Sequence, residues 1–252
     1  MKKREFARWL REFETKRETA YHEAGHAAIL WMFGNAHEIV LIKMKGTAGR
    51  CAQVRRRLYD LVKAILDGPR ATPFDGLNPV ARYVVRMHAQ REMLYRLAGY
   101  ATEGKLSPPD SMHWLETALE EGEWEWNEEE DLSKAVKLAN AVCGDNGNAG
   151  RMLRRMASWT DEALSHPRLW GVVEALAEQL ATVKGRMSGH KAYLIMKEAW
   201  GEGTLPYLEM GRRWRRRFCL RGVARAANRP RRRSPRVAGR GPGRNRGTKV
   251  DY

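Results

Sequence analysis

Two histidines four residues apart constrain this chain more than any other feature. They lie in Thr19-Ala-Tyr-His22-Glu23-Ala-Gly-His26-Ala-Ala-Ile-Leu-Trp31. On an α-helix, positions i and i+4 sit one turn apart on the same face, so two neutral imidazoles can converge on one Zn²⁺. Glu23, beside the first histidine, is placed to act as general base toward an attacking water. A shuffled chain of this composition would show the pattern roughly once or twice in a hundred, so the five residues alone do not carry the assignment. The plainer reading is an amphipathic helix whose histidines are solvated or packed. Ala20, Ala24, Ala27, Ala28, Leu30 and Trp31 supply an apolar face either way, and predict a helix from residue 1 to about residue 33. Gly34-Asn35 reads as its C-terminal stop.

The charge is unevenly placed. The 252 residues carry a formal net charge of +16, the mark of a nucleic-acid binder if it were spread over the fold. Residues 211–252 alone hold fifteen Arg, one Lys and one Asp, leaving the first 210 residues close to neutral. The basicity therefore belongs to an Arg, Gly and Pro-rich tail that is expected to be disordered. This divides the chain into a domain over 1–205 and a tail over 206–252. Within the tail, Arg212, Arg213, Trp214, Arg215, Arg216, Arg217 and Arg231, Arg232, Arg233 could neutralise phosphates, with Trp214 and Phe218 available for stacking. A charge run is otherwise a solvated segment.

Cys51, Cys143 and Cys219 are odd in number and form no C-x-x-C pair, which argues against a disulfide framework or a cysteine zinc site. The N-terminal stretch is too charged for a signal peptide, and no run approaches the ~20 apolar residues of a membrane span. A soluble, cytoplasmic protein is the expectation.

Further along, Glu38–Met44 and Cys51–Val54 read as β-type runs around the glycine-containing turn Lys45–Gly49, a short hairpin or ribbon. Ile39, Val40, Leu41 and Ile42 could serve as an edge strand that binds a peptide backbone by strand addition, or could merely cover the core. Apolar residues at helical spacing predict helices from about Arg55 to Leu66, Val80 to Ala101, Ser111 to Leu119, Leu132 to Val142, and over 151–165, 167–184 and 189–200. Loops fall at residues 68–79 and 144–150. The expected fold is mainly α, with a short β-ribbon after the metal-binding helix.

A catalytic zinc takes three protein ligands and keeps one position open. Ile29 and Met32 stand where an extended H-E-x-x-H-x-x-G-x-x-H pattern needs Gly and His. No acidic residue lies between Glu38 and Asp60, so a third ligand about twenty residues downstream is excluded as well. The ligand has to come from farther away, and the run Glu120–Asp131 is the densest supply of carboxylates.

Thr19-Ala-Tyr-His-Glu-Ala-Gly-His-Ala resembles the metal helix of the FtsH-type zinc metallopeptidases, the proteolytic domain of membrane-bound ATP-dependent proteases. Ile39-Val-Leu-Ile-Lys-Met-Lys-Gly is similar to the strand and turn that follow it there. Leu97-Ala-Gly-Tyr-Ala-Thr-Glu103 is similar to that family's Leu-Ala-Gly-Arg-Ala-Ala-Glu-Glu, and Glu130-Asp131-Leu132-Ser-Lys-Ala135 to its Asn-Asp-Leu-x-x-Ala. The likeness is collinear over residues 18–200. It implies a helical zinc-peptidase domain with Zn²⁺ on His22, His26 and Asp131, and Glu23 as the base. Because Glu-Glu-Glu precedes Asp131, Glu128 and Glu130 stay open as rival ligands. The 252 residues contain no Walker A sequence, so the resemblance further implies a separate ATPase or unfoldase, or polypeptide substrates that are already unfolded. The competing reading is a nucleic-acid-binding or adaptor protein that works through its basic tail on an inactive peptidase-like fold. The other five histidines show no spacing that suggests a second site.

Overall fold

The computed structural model describes residues 3–45, 48–53, 77–106, 131–143 and 146–203. The helices read over 55–66 and 111–119, the acidic run before Asp131 with Glu128 and Glu130, and the tail from residue 206 lie outside the described residues. The described part is mainly α, with six helices and one small antiparallel sheet.

Helix α1 (Lys3–Met32) enters the core from Ala20 onward. Ala20, Ala24, Ala27, Ala28 and Ile29 are fully buried along it. It ends as the sequence predicts. Gly34 takes φ 74°, Asn35 N–H donates to Leu30 O at 2.8 Å, and Gly34 N–H donates to Trp31 O at 2.9 Å. These two bonds form the paired closure of a Schellman motif.

Strands β1 (Ile39–Lys45) and β2 (Ala48–Gln53) form the expected hairpin. A bulge between Ile39 and Leu41 leaves Val40 exposed, so Ile39 and Ile42 both face the core despite their odd spacing. The sheet has a third member, β3 (Gly185–Ser188), and its order is β2-β1-β3. This overturns the edge-strand expectation for Ile39, Val40, Leu41 and Ile42. Leu41 to Met44 pair with β2 on one side and β3 on the other, and Ile39 pairs with Gln53. Over Leu41–Met44 the backbone is committed to two neighbours, so β1 is not the free edge that strand addition requires.

Helix α2 (Pro79–Leu106) starts with proline at its first position, and Asn78 caps it by accepting from Ala81 N–H at 2.9 Å. It crosses α1 at very short range. A Cβ on Gly25 would lie 2.7 Å from Ala98 O, and Thr102 Oγ1 donates to Tyr21 O at 3.0 Å. Around this crossing pack α3 (Asp131–Cys143), α4 (Asn146–Leu164), α5 (Pro167–Thr182) and α6 (Gly189–Trp200). The core they share includes Ile29, Met93, Leu97, Leu138, Leu153, Met156 and Leu176, each with no exposed surface. Helix α4 begins at Asn146, inside the stretch 144–150 read as a loop, because burial of Ala149 and Met152 outweighs the weak helix preference of Asn and Gly. Among the described residues no helix is long and apolar enough to cross a membrane.

Candidate metal centre

His22 and His26 face α2 and the first residue of α3, and there Asp131 meets them. One ligand atom from each of His22, His26 and Asp131 lies within 4.8 Å of the others. Asp131 Oδ2 is 2.9 Å from His26 Nε2 and 3.7 Å from His22 Nε2. A tetrahedral ion with bonds of ~2.0–2.2 Å holds its ligands about 3.3–3.6 Å apart, so the two distances to Asp131 need only tenths of an ångström of adjustment. Two imidazoles and a carboxylate suit zinc chemically as well.

Helix α2 orients both rings from outside. Glu103 Oε1 is 3.0 Å from His22 Nδ1, and Tyr95 O accepts from His26 Nδ1 at 2.6 Å. With each Nδ1–H committed outward, both Nε2 atoms are left facing Asp131, and each presents a lone pair to a metal once its ring is neutral. This is the outer-shell arrangement that fixes the tautomer of metal-binding histidines. Space is tight on the same helix. A Cβ on Gly99 would sit 2.3 Å from the His22 ring, so only glycine leaves room for it.

The electrostatics follow from this crowding. Burial works against a charge on His22, but the Asp131 and Glu103 carboxylates outweigh it and raise the imidazole from 6.5 to about 10. Burial likewise disfavours the Asp131 charge, yet His26, His22 and Arg96 hold its carboxyl well below the usual range. Positive partners that stabilise an anion in this way are what a bound cation would replace.

Glu23 lies beside the triad, 4 % exposed. Burial pushes its carboxyl up, against the pull of His26 and His22. The backbone of Cys51 in β2 hydrogen-bonds one side of it, while Oε2 is buried and has no hydrogen-bond partner among the described residues. A buried oxygen left unpaired is costly and marks a working carboxylate sooner than a structural one. Gly49 of the same strand passes so close that a Cβ there would lie 2.5 Å from Glu23 Oε1. Cys51 is tied a second time, its carbonyl accepting from Tyr95 Oη at 3.0 Å.

The sequence-derived residues His22, Glu23, His26 and Asp131 thus come together. The edge-strand residues do not reach the cluster as a free edge, and Arg212–Arg217 and Arg231–Arg233 lie outside the described residues. Four contributors carried no assigned role: Tyr95, Arg96, Gly99 and Glu103. Two of them, Gly99 and Glu103, fall inside the Leu97–Glu103 segment and stand one helical turn apart on the face that meets His22. No family model, curated protein or solved structure matches the chain.

Proposed function

We propose that the chain is a zinc-dependent metalloendopeptidase that hydrolyses peptide bonds in unfolded or flexible polypeptides. The observation that carries this reading is the convergence of His22, His26 and Asp131 beside a buried, half-satisfied Glu23. Zinc bound there would act as a Lewis acid toward the scissile carbonyl and the attacking water. Glu23 takes the proton from that water and delivers it to the leaving amine; its raised affinity for a proton matches both duties. Glu103 and Tyr95 keep the two rings aimed throughout. The substrate backbone would run near β2, which among the described residues is paired on one side only and passes directly against Glu23.

The sequence resemblance to FtsH-type peptidases favours the same chemistry and a separate unfoldase as partner. Scattered cysteines with no C-x-x-C pair, and no helix among the described residues long and apolar enough to cross a membrane, are compatible with a cytoplasmic setting. Replacing Glu23 by Gln should abolish casein cleavage while zinc stays bound, and cleavage at the wild-type rate would refute the role of the base. Asp131→Ala should lose both metal and activity.

One observation favours a second reading, an anionic partner such as nucleic acid. Arg50, Lys43 and Arg186 stand directly opposite one another across the three strands, all exposed, on the face of the sheet away from the core. Like charges so placed destabilise a sheet unless something neutralises them. Polynucleotide binding that weakens steeply with salt would support this activity. If it survived unchanged in Glu23→Gln, it would be separate from peptide hydrolysis.

A further inference from the structure

Asp131 has two carboxylate oxygens, and the structure uses them differently. Oδ2 faces the Nε2 atoms of His26 and His22. Oδ1 accepts a hydrogen bond from Arg96 Nη1 at 2.6 Å. Arg96 is itself fixed, since its Nε and Nη2 reach Glu92 Oε1 at 2.8 and 2.7 Å and its guanidinium lies 5.0 Å from the centre of the Tyr95 ring. Only 14 % of the Arg96 side chain is exposed. Short charge-assisted bonds in so sheltered a place are strong and directional.

We propose that Arg96 is a positioning residue of the metal centre: it occupies Oδ1, so that Asp131 ligates through Oδ2 alone. The inference rests on the metal-centre reading above. A carboxylate with both oxygens free can turn and bind through both, as acidic ligands do in larger coordination shells. That would fill the position a catalytic site keeps open. Adjacent residues of α2 therefore govern ligands on two other helices. The backbone carbonyl of Tyr95 aims His26 on α1, and the side chain of Arg96 aims Asp131 on α3. The competing account is a salt bridge that only docks α3 onto α2, which would be indifferent to how the ion is held.

Cobalt(II) substitution in the full chain separates the two, because its visible absorption reports coordination geometry. Wild type should give the intense bands of a four-coordinate site. Arg96→Gln should give the weaker bands of a higher-coordinate one and bind zinc on the order of 10–100-fold more weakly. Arg96→Lys, which keeps the charge, should fall between them. In an Asp131→Asn background Arg96→Gln should change zinc affinity no further, since its effect passes through Asp131. A wild-type cobalt spectrum with zinc affinity within about threefold in Arg96→Gln would overturn the proposal, as would equal losses in both backgrounds. If Arg96→Gln does not fold, Arg96→Lys decides, and an unchanged spectrum there is equally fatal. Wild type that takes up neither zinc nor cobalt would sink the metal centre itself, whereas uptake insensitive to Arg96 sinks only this inference.

Discussion

Replacing Gly99 by alanine tests the site without touching a ligand. The added methyl would lie 2.3 Å from both Cε1 and Nε2 of His22. Non-bonded carbon contacts settle near 3.5–4.0 Å, so the ring must retreat by more than ~1 Å. It can do so, because 18 % of the His22 side chain is exposed and the ring is not walled in on every side. Metal–ligand distances tolerate only about ±0.2 Å, so the displaced Nε2 ceases to be a ligand. The helix itself should gain, since alanine is favoured over glycine in a helix interior by about 1 kcal/mol. The expected outcome is therefore a split. Zinc affinity, measured against a competing chelator, should fall by at least ~10–100-fold, the range seen when supports of a metal ligand are lost. Thermal unfolding of the chelated protein should stay near wild type. Zinc affinity within about threefold of wild type in Gly99→Ala would refute the placement of His22, and with it the metal-centre geometry.

Two further outcomes follow from the charges and caps. After chelation, His22, raised from 6.5 to about 10, contributes stability that is complete below 6.5 and lost as pH climbs toward 10. Asp131, held below its ordinary 3.8, contributes stability that is present above that value and lost as pH falls further. The urea midpoint in EDTA should therefore decline from pH 6.5 to 10, and a midpoint that is level or rising over that span would contradict the His22 assignment. Ser188, whose hydroxyl accepts from Lys191 N–H at 3.2 Å at the start of α6, should lose about 1 kcal/mol on replacement by alanine, read from denaturant unfolding.

How much of this was legible in the sequence varies with the range of the interaction. His22, Glu23 and His26 share one helix, so their spacing alone places them together. Asp131 comes from a different helix, and only the family resemblance pointed to it; elimination had gone no further than an acidic residue far downstream. Arg96 gave no sign, because its partner is distant in sequence and an arginine on a helix is unremarkable until the other helix is docked. The third strand of the sheet is hidden in the sequence for a related reason. Gly185-Arg-Met-Ser188 lacks the β-branched and aromatic residues that announce a strand, so local pattern places β1 at the sheet's edge although it is the centre. Local pattern identified the helices well, although at Asn146 it was overruled by what the neighbouring helices bury.

The distance between His26 and Asp131 along the chain has a consequence for how the protein holds together. Their meeting place exists only while α1, α2 and α3 are docked, and an unfolded chain offers an ion little beyond the isolated pair of histidines. Whatever free energy the ion gains on binding is thus returned to the folded state, roughly 2.7 kcal/mol when free metal stands at a hundred times its dissociation constant. Starvation for metal would then take away the reagent and the fastening at once. If the chain is the proposed metallopeptidase, it would become inactive and more easily digested in the same step, and its abundance would track the supply of that ion.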